Sequence, residues 1–332
     1  MLCCAQFHPM FVNNRALPGR ALPTHGETMS ARSGPTDTSH LNSFPEVPVS
    51  DGGEIAPGVT VIHDPRINFV PNIGIVSGQD AVLVVDTGIG VENGRRVLEL
   101  AREIARGRAL LLTLTHFHPE HGYGAQVFKG VASIIYNKAQ ADELTEKGSE
   151  YLDMFRGYGD NLVRALDGVQ IVGPDKTYSG EMTISLGGRT VILRELPAHT
   201  RGDQIVYLPD DGIVFTGDLV ENAFFPIFAD ADSKGEPWIE ALKIIESLRP
   251  KIVVPGHGEI SGVEVVRAVR SYMEFVRNEI ANGPKNIDEQ EVDRLAPVVK
   301  ARYPTWDNNK WIPSALRTFF AEATGKPVKL PP

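Results

Sequence analysis

Cysteine is nearly absent from this chain. Of 332 residues only Cys3 and Cys4 are cysteines, adjacent at the N-terminus, so the body can hold neither a disulfide nor a thiolate zinc site. Any metal must be held by histidines and carboxylates. Positive charge is scarce too: 33 Lys and Arg stand against 42 Asp and Glu, a net charge of -9, and no basic cluster offers the surface that phosphate backbones require. Nucleic acid is therefore not an expected partner. No apolar run approaches the roughly 18 residues of a membrane span, so no membrane partner is expected either. With 42% hydrophobic residues the chain can bury one large core or two modest ones. The expectation is a cytoplasmic protein acting on a small molecule, with a periplasmic or organellar location as the alternative and homo-oligomers allowed.

Regular patterning is missing from the first fifty residues. Residues 1–50 are rich in Pro, Ser, Thr, Asn and Gly without periodicity, which predicts a flexible N-terminal extension. Their first 26 residues hold Arg15 and Arg20 but no acid, and lack the apolar stretch of a secretory signal. A transit peptide and a start at Met29 are the other readings of this segment. Beyond it we expect a catalytic domain over 51–262 and a C-terminal helical segment, 263–332, packed on that domain.

What is present is an α/β pattern. "VTVIHD", "NIGIVSG" and "AVLVVDTG" are short Val- and Ile-rich runs between turn residues, the mark of strands. "VENGRRVLELAREIARG" places Val97, Leu98, Leu100, Ala101 and Ile104 at helical spacing, and "ALLLTLTH" follows as a buried strand. Further strands are predicted at "ASIIYN", "MTISLGG", "TVILREL", "QIVYLPD", "GIVFTG" and "KIVVPG". A helix is predicted around "PWIEALKIIESL", and two or three more from about Val263 to Thr324. Gly88 and Gly90 in "DTGIGVENG" imitate the start of a dinucleotide fingerprint, but Asn93 replaces its third glycine, which leaves a tight turn.

The histidines are unevenly placed. His8, His25, His40 and His63 lie in the extension or an ordinary strand, whereas His116, His118, His121, His199 and His257 each follow the apolar residues of a predicted strand, as does Asp218. In a layered α/β protein the carboxyl ends of strands share one edge, where sites assemble. Six candidate ligands at one edge imply a metal centre. Within "HFHPEH", His116 and His118 can reach one side of the chain, and Glu120 and His121 come after Pro119 has redirected it, a spacing that allows two separate half-sites. A merely decorated loop would leave His199, Asp218 and His257 unexplained. Ions such as zinc bind imidazole and carboxylate at about 2.0 to 2.2 Å, and a catalytic site keeps a position open.

"THFHPEH", then "AHTRGD", "FTGDLV" and "VPGHGE", with "VVDTG" upstream, resembles the metallo-β-lactamase superfamily of hydrolases over about Pro57 to Ser261. The resemblance implies an αββα sandwich of two similar halves with a dinuclear metal site at one edge. It assigns His116, His118 and His199 to the first metal and Glu120, His121 and His257 to the second. Asp218 would bridge the two, and Asp86 would stand behind the ligands and orient them. The implied cofactor is two Zn2+ per chain, with iron or manganese as alternatives.

Metal-bound water has its pKa lowered to about 7, and a second cation polarises the scissile carbonyl. The expected function is thus a zinc-dependent hydrolase using metal-bound hydroxide on an acyl bond: ester, lactone, thioester or amide. Aspartate rather than cysteine or serine after "FTG" is more similar to the glyoxalase-II and lactonase branches than to members that cleave antibiotics, so β-lactamase activity is an alternative. A further alternative is a persulfide dioxygenase binding one iron through His116, His199 and Asp218, a two-histidine, one-carboxylate set. A metal-binding relative without catalysis is a third.

The departure from the family pattern is Glu120, where aspartate is usual. Glutamate adds about 1.5 Å of reach and one rotatable bond. It could ligate directly, act through a bound water, or serve as a base, with a shifted or weak second site as one reading; because His121 and His257 would share no purpose around an empty site, Glu120 is expected to be a true ligand. Tyr123 is a candidate hydrogen-bond donor to a developing oxyanion, counted with Asp86, Glu120 and Asp218 as catalytic. "ENAFFPIFAD" is a candidate substrate wall or a piece of core, and Trp306 and Trp311 anchor the last helix or face the cleft.

Overall fold

Runs of Val, Ile and Leu bounded by Gly, Asn and Pro form two sheets in the computed structural model, which describes residues 46–283 and 289–326. These residues belong to one compact unit, Phe44–Val328. The first sheet contains β1 (Gly52–Ala56), β2 (Val59–Ile62), β3 (Ile73–Ser77), β4 (Ala81–Val85), β5 (Ala109–Thr113), β6 (Ser133–Asn137) and β7 (Lys176–Tyr178), in sequence order. It is antiparallel from β1 to β4 and parallel from β4 to β7. The second contains β8 (Glu181–Ser185), β9 (Thr190–Glu195), β10 (Gln204–Leu208), β11 (Ile213–Glu221) and β12 (Ile252–His257), in the order β12-β11-β10-β9-β8. Only the β11–β12 pair in it is parallel.

Parallel neighbours need crossovers, and helices supply them. α1 (Gly90–Ala105) joins β4 to β5, and a single turn, α2 (Pro119–Gly122), follows β5. α3 (Lys138–Arg156) and α4 (Asp160–Ala165) join β6 to β7, and α5 (Gly235–Ser247) joins β11 to β12. The chain then continues through α6 (Val263–Asn282), α7 (Glu289–Arg302) and α8 (Ile312–Thr324).

Strand alternation sorts the side chains into three apolar layers. On β4, Val82 and Val84 pack toward α1, while Leu83 and Val85 point the other way and meet Val191, Leu193 and Phe215 of the second sheet. On β10, Val206 and Leu208 join that central layer, and Ile205 packs outward with Trp238, Val269, Leu295 and Phe319 of α5 to α8. The result is the expected αββα sandwich, with the C-terminal helices added to its second helical face. No helix among the described residues is long and apolar enough to cross a membrane.

Two features differ from the sequence expectation. Most of the proposed extension lies outside the described residues, but Val47 and Val49 are buried in the layer that packs on α1. Asn93 holds them there: its amide donates to Val47 O (2.7 Å) and its carbonyl accepts from Val49 N (3.1 Å). The body therefore starts before residue 51. The second is α3, nineteen residues with no predicted counterpart. Its buried face includes Gln140, Glu143 and Gly148 beside Leu144 and Phe155, so the apolar period that betrays a helix is broken by polar residues with partners elsewhere in the chain.

Candidate metal centre

All the candidate ligands meet at one edge of the sandwich, and each of the two ligand groups takes two residues from either side. The turn after β5 supplies His116, His118, Glu120 and His121. From the second sheet come His199, after β9, Asp218, within β11, and His257, at the end of β12. Two groups form around the one aspartate: His116, His118, His199 and Asp218, then Glu120, His121, Asp218 and His257, each offering ligand atoms within 4.8 Å of one another.

Asp218 faces both groups. Its Oδ2 lies 4.0 Å from His116 Nε2 and 3.9 Å from His199 Nε2, whereas Oδ1 lies 3.2 Å from His121 Nε2 and 3.8 Å from His257 Nε2. Such a division of oxygens suits a bridge between two ions. The strand carrying it is shaped for close approach. β11 shifts register at Gly217, whose φ of +52° is left-handed. A Cβ there would meet Thr115 at 2.6 Å, and one on Gly256 would meet Asp218 Oδ1 at 2.0 Å. Only glycine fits either position.

The partners behind the ligands fix their ring orientation. Asp86, after β4 and in a left-handed backbone conformation (φ +69°), accepts from Thr115 N (2.7 Å) and Thr115 Oγ1 (2.9 Å) and lies 2.9 Å from His121 Nδ1. His121 thereby presents Nε2 to the centre. His199 Nδ1 meets the carbonyl of Ile227 (2.9 Å), so its Nε2 also points inward. The turn that carries His199 is tied by Asp203, whose carboxylate accepts from Ala198 N, Thr200 N and Thr200 Oγ1. Burial pushes the Asp203 carboxyl up to about 8 despite these donors. Behind His257 stands Asp64, 3.7 Å from Nδ1, which also accepts from Gly258 N. Asn72 completes this support, donating to Pro255 O (3.0 Å) and Gly258 O (2.8 Å). Neither Asp64 nor Asn72 was singled out from the sequence.

The electrostatics divide the centre in two. Burial and neighbouring imidazoles lower the pKa of His116 and His118, and burial lowers that of His199, which keeps them neutral and ready to ligate. His121 behaves oppositely: burial opposes its charge, but Asp218 and Asp86 lift it well above the usual histidine range. His257 is raised in the same way by Asp218 and Asp64 against burial. Burial likewise opposes ionisation of Asp218, yet His121 and His257 hold its carboxyl well below the usual range.

Whether these residues fit a metal can be judged from their unmatched atoms. His116 Nε2, His118 Nε2 and Glu120 Oε2 are buried without a hydrogen-bond partner, and His121 Nε2 and Asp218 Oδ1 approach to 3.2 Å outside hydrogen-bond geometry. A buried polar atom without a partner costs about 1–3 kcal/mol, a cost that bound cations at this edge would relieve. The donor set fits: imidazole nitrogens and carboxylate oxygens are ligands for zinc and similar divalent ions. A third acidic cluster, Glu143, Asp230 and Asp232, does not compete. Lys147 Nζ already sits among its carboxylates at 3.0, 2.9 and 2.7 Å.

Three sequence candidates go elsewhere. Tyr123 is buried beneath the centre, and its hydroxyl donates to Gly148 O on α3 (2.6 Å); burial raises its pKa further. The expected hydrogen bond to an oxyanion is thus replaced by one that ties α2 to α3. Phe225 and Phe228 of "ENAFFPIFAD" are core, packed with Tyr272, Trp238 and Phe319. Trp306 joins them, 5.5 Å from Phe225. One residue went unnoticed. Glu221, at the end of β11 opposite His257, is buried with Oε2 unpartnered, and burial together with Asp218 raises its carboxyl well above the usual range.

An αββα sandwich with two ligand groups sharing an aspartate at the sheet edge defines a class of metal-binding folds, and the comparisons place the chain within it. The family model described as the metallo-beta-lactamase superfamily matches residues 67–257, and the chain belongs to that superfamily. It is 22% identical over 240 residues to a linear primary-alkylsulfatase of Pseudomonas sp. (strain ATCC 19151), covering 62% of this chain and 46% of that one. The chain thus spans less than half the length of that relative. An acyl-coenzyme A thioesterase, MBLAC2 of Bos taurus, is 27% identical over 213 residues, 58% of this chain and 75% of the other. Among solved structures, the inverting sec-alkylsulfatase Pisa1 from Pseudomonas sp. superposes with a TM-score of 0.62 at 16% identity, over 83% of this chain and 50% of that one.

Proposed function

We propose that the chain is a two-zinc hydrolase that cleaves an ester or thioester of a small molecule. The observation that carries this is Asp218, whose two oxygens face two separate groups of candidate ligands, one containing His116 and His199 and the other His121 and His257. A pair of divalent cations held there would supply an activated water at neutral pH and polarise the carbonyl beside the scissile bond. The chain's own residues do the positioning. His116, His118 and His199, neutral through burial, offer nitrogen donors on one side of Asp218. On the other side Asp86 and Asp64 orient His121 and His257, and Glu120 adds its unpartnered Oε2.

Glu120 acts in this reading as a direct ligand. Its carboxylate lies within 4.8 Å of ligand atoms of His121, Asp218 and His257, so the added methylene is matched by its place in the single turn α2. The one-iron dioxygenase reading would use His116, His199 and Asp218 and leave Glu120, His121 and His257 converging for no purpose. The sulfatase and thioesterase relatives widen the substrate class to sulfate esters and thioesters.

Elemental analysis of purified protein, combined with an assay panel of aryl esters, lactones, acyl thioesters, alkyl sulfates and a cephalosporin, tests the proposal. Two zinc ions per chain and turnover of an ester or thioester that a chelator abolishes are the expected results. One iron per chain, or turnover that survives complete metal removal, would overturn it.

A further inference from the structure

An aromatic row leads outward from the candidate metal centre. It starts on a ligand: the ring of Tyr151, on α3, stacks on His118 with centroids 5.1 Å apart and planes 18° from parallel. Tyr151 is fixed at both ends. Its hydroxyl donates to Asp230 Oδ2 (2.7 Å), which Lys147 holds in turn, and its ring meets the edge of Phe117 at 4.9 Å. Phe155, one helical turn further, lies 6.5 Å from Tyr151. Phe155 touches both members of an outer pair, Phe69 at 5.2 Å and Tyr158 at 5.4 Å. That pair is itself stacked, 5.6 Å apart at 11°.

Exposure differs along the row. Tyr151 and Phe69 are part-exposed and Tyr158 is 48% exposed, while Phe155 at 5% lies beneath them, so the row meets the surface at Tyr151, Phe69 and Tyr158. The backbone beneath the outer pair is held in a costly shape. Phe69 has φ +68°, a left-handed conformation that bulky residues rarely adopt and that costs on the order of 1–3 kcal/mol. Such strain persists where the surroundings demand one orientation, and here it turns the ring onto Tyr158.

The two cations beside the row are already paired. Lys147 is matched by Glu143, Asp230 and Asp232, and Arg66, on the same loop as Phe69, pairs with Glu259 at 3.2 Å and lies over the Phe224 ring. A charged tail would find no partner among these cations. Neither is the row a slot for a flat ring. Successive planes differ by 18°, 31° and 59°, a set of tilted faces that a flexible chain can touch in turn.

We infer that Tyr151, Phe69 and Tyr158, backed by the buried Phe155, form a rail for an unbranched alkyl chain on the substrate, with the chain's polar head at His118 and its end at Tyr158. The assignment deepens the hydrolase reading and depends on it only for the position of the scissile bond.

Binding and turnover are measured separately on the zinc-loaded full chain. Calorimetry with straight-chain carboxylates from butyrate to decanoate reads the rail without any chemistry. Affinity should rise about two- to fourfold per added methylene, as burial of each CH2 in apolar surroundings predicts. In Tyr158→Ala the decanoate-to-butyrate affinity ratio should fall about tenfold. Phe69→Gly, which removes the ring and relieves the backbone strain at once, should lower the same ratio. Affinity independent of chain length, or a ratio unchanged in both variants, would overturn the rail. A matching series of 4-nitrophenyl esters tests the chemistry. Length-dependent carboxylate binding with no ester or thioester cleaved would sink the hydrolase reading and leave the rail standing. Ester turnover with no length dependence in either series would do the reverse.

Discussion

The two halves of the candidate metal centre share Asp218 but are supported differently. In the first, the groups behind the rings are neutral: the Ile227 carbonyl behind His199 and the Thr115 hydroxyl 3.2 Å from His116 Nδ1. In the second, both histidines are backed by carboxylates, Asp86 behind His121 and Asp64 behind His257, and Glu120 adds another acid among the ligands. A carboxylate behind a ligating imidazole raises its basicity and fixes its tautomer. The half that glutamate seemed to weaken is thus the half that carries more negative charge to hold a cation. Ligand strength cannot be judged from the ligand alone.

The largest test of this contrast removes what the halves share. Asp218→Ala should empty both, lowering kcat/KM by more than about 100-fold, beyond the range seen for outer partners; elemental analysis should find less than one ion per chain. If the variant keeps two ions, the bridge is not the organising residue.

Next come the groups behind the rings. Asp86→Asn keeps an acceptor for Thr115 N and tolerates the left-handed backbone, but it removes the charge behind His121. It should weaken one ion about 10- to 100-fold and spare the other, visible as a split in a metal titration followed by calorimetry. Equal weakening of both ions would erase the distinction between the halves.

Glu120→Asp should act in the same direction but less. The shorter side chain falls about 1.5 Å short in a turn whose position suits glutamate, so second-ion affinity should drop roughly tenfold. Glu120→Ala should drop it further. Tighter binding in the aspartate variant would show that the scaffold still has the geometry of its relatives.

The smallest effect serves as a control. Asn93→Ala breaks the buried hydrogen bonds that hold Val47 and Val49 against α1. It should cost about 1–3 kcal/mol of stability, seen as a lower melting temperature, with the count of bound ions still at two.

Much of this centre was legible before folding, for chemical reasons. Imidazoles and carboxylates that follow apolar runs declare both their donor type and their place at strand ends, so His116, His118, His121, His199, Asp218 and His257 could be grouped from sequence. The strands were equally plain, because β-branched runs between glycines have few other uses. What escaped depends on distant contacts. Asp64 and Asn72 look like ordinary turn residues until the loop at Gly258 is brought against them. The helix α3 hid because its buried Gln140 and Glu143 find partners in Leu114 O and Gly202 N. Tyr123 misled for a related reason: nearness in sequence to the ligands says nothing about where the hydroxyl points.

The equal contribution of the two sheets has a consequence for folding. Each half takes two ligands from the turn after β5 and two from the second sheet, so neither can exist until the layers have docked. An ion bound there is a clasp across the central apolar layer, and its affinity is added to the free energy of docking. At free metal 100 times the dissociation constant, each ion would stabilise the docked state by about 2.7 kcal/mol. Removing metal should therefore loosen the junction between the sheets before it disturbs either sheet. Hydrogen exchange should quicken first at the ligand-bearing ends of β5 and β11, while the β2–β3–β4 meander stays protected.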